Sequence, residues 1–96
     1  MITIKHNNNC IEVQGHANYA EPGTDIVCSA VSALAQTLVA SLEKLTDDLI
    51  GYHAQPGFVK IIIGNLSDRG KTLIDSFFIG IEMIADEYPE NVRVER

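Results

Sequence analysis

His16 and Cys28 are the pair in this sequence whose types and spacing could do covalent chemistry. They close the stretch GHANYAEPGTDIVC, Gly15 to Cys28. A helix beginning at Thr24 or Asp25 places Cys28 in its first turn, where unpaired backbone N–H groups and the helix dipole stabilise negative charge. A thiolate gains from that position. An imidazole within reach would accept the thiol proton and later hand it to a leaving amine, the work of a cysteine hydrolase. The N–H groups of the first helical turn, that of Cys28 included, are candidate donors to a developing oxyanion. Set against this, a thiol is often only a small buried hydrophobe, and a single histidine often has no special task.

The neighbours can be read in two ways each. Asp25 either caps the helix, worth about 1 kcal/mol, or orients His16 and holds the loop. Ser32, one turn beyond Cys28, is either a solvated or packed helix serine or a hydrogen-bond partner of the sulfur. Gly15 and Gly23 flank the segment that begins at Ala17, and their permissive backbones suit a mobile loop or lid over 17–24. Cys10, with no helix end or cap near it in sequence, is expected to be inert.

These residues must be positioned by elements that the hydrophobic pattern supplies. MITIKH alternates and reads as a strand, NNN at 7–9 as a turn, and CIEVQGH as a second strand, together a β-hairpin. The alternation puts Ile11 and Val13 inward, and Cys10, Glu12, Gln14 and His16 on the opposite face. After the loop, Val27, Val31, Leu34, Leu38, Leu42 and Leu45 recur at helical spacing, predicting a helix to about Lys44. LIGYHA and GFVKIIIG, separated by Gln55 and Pro56, predict a second hairpin. A second helix is expected over about Lys71 to Tyr88, stopped by Pro89, and VRVE suits a short edge strand. Adjacent strands rather than strict alternation favour a single α+β domain over residues 1–96, an antiparallel or mixed sheet with both helices on one face. Phe58 and Ile62 fall on the sheet face opposite Val59 and Ile61, as a dimer contact would require.

Composition narrows the partners. The chain has 96 residues, 46% hydrophobic and 21% charged, with a formal net charge of −6. Seven scattered Lys and Arg and an acidic balance argue against direct nucleic-acid binding. Two cysteines make no disulfide framework, no secretory signal opens the chain, and a reducing cytoplasm is the expected compartment. No CxxC, HExxH or His/Cys cluster at metal spacing is present, so no metal is expected. The uncharged run Ile26 to Leu42 is shorter than the roughly 20 residues a membrane span needs, and Ser29, Ser32, Gln36, Thr37 and Ser41 interrupt it. It reads as a buried helix, with no membrane partner.

GHANYAEPGTDIVCSAVS, Gly15 to Ser32, resembles the ribosomal-processing cysteine protease family (Prp, or YsxB-like). The family pattern of Gly-His-Ala, then Gly, then Asp-Ile-Val-Cys matches Gly15, His16, Ala17, Gly23 and Asp25 to Cys28, with the same His-to-Cys spacing. FFIGIEMIADEYPENVRV also looks like the family's closing helix and tail. The resemblance implies a small α+β homodimer that removes an N-terminal extension from a large-subunit ribosomal protein, after a hydrophobic segment with paired phenylalanines. It makes Cys28 the nucleophile and His16 its base, gives Asp25 and Ser32 supporting roles, and implies no cofactor. Ser29 stands where members often have Ala or Gly, and the middle of the chain is shorter than in many members. Some relatives are encoded beside phage structural genes, so capsid or scaffold processing is an alternative, as is a non-catalytic dimeric assembly or binding module.

Overall fold

A computed structural model describes residues 1–7, 9–16 and 25–96. The chain orders its elements as β1 (Ile2–Asn7), β2 (Cys10–Gln14), α1 (Ile26–Leu45), β3 (Ile50–Gln55), β4 (Phe58–Ile63), α2 (Asp68–Glu87) and β5 (Val92–Glu95). The five strands form one sheet in the order β3-β4-β2-β1-β5. All neighbours are antiparallel except β1 and β5, which run parallel with Ile2 opposite Val92. The sheet is therefore mixed, and the fold is α+β, as the strand order in the sequence predicts.

One sheet face carries the core. Ile2, Ile4, Ile11, Val13, Ile61, Ile63 and Val92 point from it into a cluster with Val27, Val31, Leu38 and Leu42 of α1 and Ile74, Phe77, Phe78 and Ile81 of α2. Both helices thus lie on the same side of the sheet. Each fully buried Ile, Leu or Phe contributes about 1.5–3 kcal/mol through removal of apolar surface from water. The other face is polar, with Lys5 facing Glu95 at 4.0 Å and Lys60 facing Glu12 at 3.8 Å. Such exposed pairs contribute little to stability. Ile62 on that face stays 45% exposed in the single chain.

Helix α1 has 20 residues and is long and apolar enough, by length and composition, to cross a membrane. It does something else here: Val27, Val31, Ala35, Leu38, Val39 and Leu42 pack into the core, while Ser29, Ser32, Gln36 and Thr37 are exposed. Helix α2 starts three residues earlier than the apolar spacing suggests. Ser67 is its N-cap, accepting from the Gly70 N–H at 3.0 Å, and Asp48 holds Ser67 through its N–H and its hydroxyl, both at 3.0 Å. A cap, rather than the first apolar residue, sets the helix start.

Candidate active site

The first turn of α1 is built by one carboxylate. Asp25 sits at the N-cap, only 6% exposed, and its Oδ1 accepts from the Val27 N–H at 2.9 Å and the Cys28 N–H at 3.0 Å. The capping role of Asp25 is therefore present. Its main-chain oxygen also accepts from the Ser29 N–H at 3.2 Å and the Ser29 hydroxyl at 3.1 Å. One consequence corrects an expectation. The Cys28 N–H, a candidate oxyanion donor in the sequence, is committed to Asp25 in this structure, because an aspartate cap satisfies the orphan N–H groups of the first turn.

His16 also departs from the strand pattern. Strand β2 ends at Gln14, and Gly15 follows with φ +94°. That left-handed residue ends the two-residue alternation, so His16 is not carried to the polar face with Cys10 and Glu12. It lies at the sheet end instead, lining a cleft of about 320 Å³ together with Cys28, Ser32, Gly15 and the inward-facing Val13. Side chains separated by the whole 17–24 segment thus converge. Of the two, His16 is exposed and Cys28 half-buried.

The opposite wall comes from the β3–β4 hairpin, through Gln55, Pro56, Gly57 and Phe58. Gly57 takes φ +75° in the turn, and a Cβ there would stand 2.9 Å from Nε2 of His16. The imidazole therefore approaches, Nε2 foremost, a residue that has no side chain. A main-chain bond from the Gly15 N–H to the Gly57 oxygen, 2.8 Å, ties the two hairpins together at this point. The amino group of Met1 donates to the His16 oxygen at 2.5 Å, holding the same backbone from the other side.

Among the sequence-predicted site residues, His16, Cys28, Ser32 and Gly15 line the cleft, while Asp25 does not line it and acts on it by capping the turn that carries Cys28. Ala17 and Gly23, with the whole proposed lid over 17–24, lie outside the described residues. Cys10 is at the far end of β2, paired with Ile62, and burial pushes its thiol above the ordinary value, with Glu12 adding to the rise and Lys60 opposing it. No sequence pattern assigns the hairpin wall to the site. Its one sequence signal is the Pro56-Gly57 turn, which says that the chain reverses there but not which other element it meets.

Comparison with known proteins identifies the family and the fold. Residues 1–93 match the family described as cysteine protease Prp. The ribosomal processing cysteine protease Prp of Bacillus subtilis is 31% identical over 90 residues, covering 86% of this chain and 80% of its own length. A crystal structure of an essential ribosomal processing protease Prp from Staphylococcus aureus, with a covalently linked product peptide, superposes with a TM-score of 0.91 at 27% identity, over 99% of this chain and 98% of that one. A crystal structure of a Streptococcus mutans protein gives a TM-score of 0.79 at 31% identity, over 98% and 90% of the two chains. The chain that presents Cys28 and His16 to this cleft belongs to the cysteine protease Prp family, hydrolases that act on peptide bonds.

Proposed function

We propose that this protein is a cytoplasmic endopeptidase that removes an N-terminal extension from a large-subunit ribosomal protein. The observation that carries the reading is the shared cleft: Cys28 at the first turn of α1 and His16 past the end of β2 line the same space. The positive end of the α1 dipole faces this turn, where the Asp25 carboxylate already accepts from the Val27 and Cys28 N–H groups. His16 removes the thiol proton, Cys28 Sγ attacks the scissile carbonyl, and the resulting imidazolium protonates the departing amine. Water, deprotonated by the same imidazole, then releases the acyl group from sulfur. Asp25 keeps the first turn, and with it Cys28, in place. The protein relatives named for ribosomal processing, and the S. aureus structure with its linked product peptide, support a peptide substrate.

The cleft walls suit a segment with paired phenylalanines, since Val13, Val31, Pro56, Phe58 and Val59 supply apolar surface beside the two polar groups. A homodimer belongs to the same reading, supported by the exposed apolar side chains Ile79 and Met83, one turn apart on α2. Incubation with a synthetic peptide bearing paired phenylalanines, scored by mass, tests the function. Cleavage after the aromatic segment is the expected result. An intact peptide under conditions where the protein is folded would overturn it.

A further inference from the structure

The two edges of the sheet are finished differently. Strand β5 has four residues and carries charge along it, with Arg93, Glu95 and then Arg96, whose guanidinium meets Asp75 at 2.6 Å. Short, charged edges of that kind discourage pairing with another chain. Strand β3 has six residues, Ile50 to Gln55, and none of them is charged or a proline. Gly51 to Gln55 are all exposed, Tyr52 at 48%. Among the described residues no strand pairs with its outer side, and an open edge of this length is an aggregation hazard unless it has a use.

The register says which main-chain groups that edge offers. Gln55 faces Phe58 across the two-residue turn, and the Gly64 N–H bonds the Leu49 oxygen at 2.7 Å at the other end of the hairpin. In an antiparallel pair, hydrogen-bonded positions alternate. Gly51, His53 and Gln55 therefore direct their N–H and C=O groups to β4, and Ile50, Tyr52 and Ala54 direct theirs outward. The side chains of the same outward-bonding residues lie on the helix-bearing face, opposite Ile63, Ile61 and Val59. The strand then runs directly into the cleft, because Gln55 and its turn residues Pro56 and Gly57 form the cleft wall.

We infer that the outer edge of β3 is the template on which the peptide substrate docks, adding as a sixth strand whose end enters the cleft at Cys28. Tyr52 and Ala54 supply paired main-chain donors and acceptors several residues from the scissile bond, and the helix-side face beside them receives alternate side chains of the peptide. This inference rests on the endopeptidase reading above and adds to it how the substrate is held.

The test uses the paired-phenylalanine peptide and a series in which each amide of it is N-methylated in turn, assayed with the wild-type protein and with Ala54→Pro. Proline at 54 removes an outward N–H while leaving the bonds to β4 intact. The expected result is that KM rises about tenfold for N-methylation at every second residue, the loss of one or two hydrogen bonds. KM should rise by a similar factor in Ala54→Pro, with kcat changed less than twofold. N-methylation effects without a two-residue alternation would overturn the inference, and that series decides even if Ala54→Pro does not fold. A folded Ala54→Pro with unchanged KM would overturn it too, as would a dimer dispersed by Ala54→Pro at unchanged KM, since the edge would then hold a second copy. If the wild-type protein leaves the unmethylated peptide intact, the endopeptidase reading itself falls, a different outcome from cleavage that ignores the edge.

Discussion

The imidazole of His16 rests on Gly57, so closely that a Cβ at that turn position would stand 2.9 Å from Nε2 and 3.4 Å from Cε1. A contact that short is inside the van der Waals limit, and either the ring or the hairpin must give way. Gly57 also sits at φ +75°, where an L-residue costs about 1–2 kcal/mol. The wall that positions the proposed base is therefore a residue chosen for lacking a side chain.

Gly57→Ala should accordingly separate activity from folding. Displacing the imidazole by a fraction of an ångström to an ångström is expected to lower kcat/KM by about 100-fold. The backbone strain should lower the melting temperature by roughly 4–15 °C, for a domain of this size. Peptide cleavage kinetics beside a thermal melt check this. Wild-type kcat/KM in a folded Gly57→Ala protein would show that His16 does not need that wall.

Asp25 has two N–H groups on one oxygen, and substitutions there separate the cap from its charge. Asp25→Ala leaves the Val27 and Cys28 N–H groups without that partner and should cost about 0.5–2 kcal/mol of stability, with activity falling as the first turn of α1 loosens. Asp25→Asn retains a cap oxygen of the same reach and should restore most of the stability. Denaturant titration of the three proteins measures the difference. Equal stability of Asp25→Ala and wild type would show that the cap contributes nothing.

Much of this was readable from residue types. The alternation of Ile2 and Ile4, and of Ile11 and Val13, fixes the first hairpin because one face of a sheet must be apolar. The helical spacing from Val27 to Leu45 fixes α1 for the same reason, and the run from Gly15 to Ser32 carries the family pattern. What pattern alone missed depends on backbone conformation or on contacts distant in sequence. The strand period extends through His16 on paper, but Gly15 takes a left-handed φ and takes His16 off the polar face. Gly57 is 41 positions from His16 in the chain, and nothing local to either residue announces that they touch. The apolar spacing places the α2 start three residues too late because Ser67 owes its capping position to Asp48, on the far side of the β3–β4 hairpin in sequence.

At the end of the sheet away from the cleft, His6 provides a pH signature. Its ring stacks on Phe78 with centroids 5.1 Å apart, and Arg96 lies over the same Phe78 ring at 4.4 Å. Burial, and secondarily the Arg96 charge, lower the His6 pKa below its ordinary 6.5, while Asp75 partly opposes this. The unfolded chain therefore binds a proton more readily than the folded one, so stability rises with pH across this window. The contribution is present above about pH 6.5 and is lost as the pH falls through that value towards the lower folded pKa. His6→Phe keeps an aromatic ring against Phe78 and removes the titration. Thermal melts between pH 7.5 and 5.0 should show a smaller acid-induced drop for His6→Phe than for wild type. Parallel curves would exclude His6 as the source.

The account stands or falls on Cys28 and His16 acting together, and the acyl-enzyme is its most direct witness. A peptide ester carrying the paired phenylalanines would be mixed with the protein, quenched in acid at early times and weighed intact, the alcohol departing as Cys28 Sγ takes the acyl group. The account predicts a mass increase equal to the acyl group, mapped by digestion to Cys28. It should be absent from Cys28→Ala and at least 100-fold slower to form in a folded His16→Ala protein. An adduct on any other residue, persistence of the adduct in Cys28→Ala, or an unchanged rate in His16→Ala would contradict it.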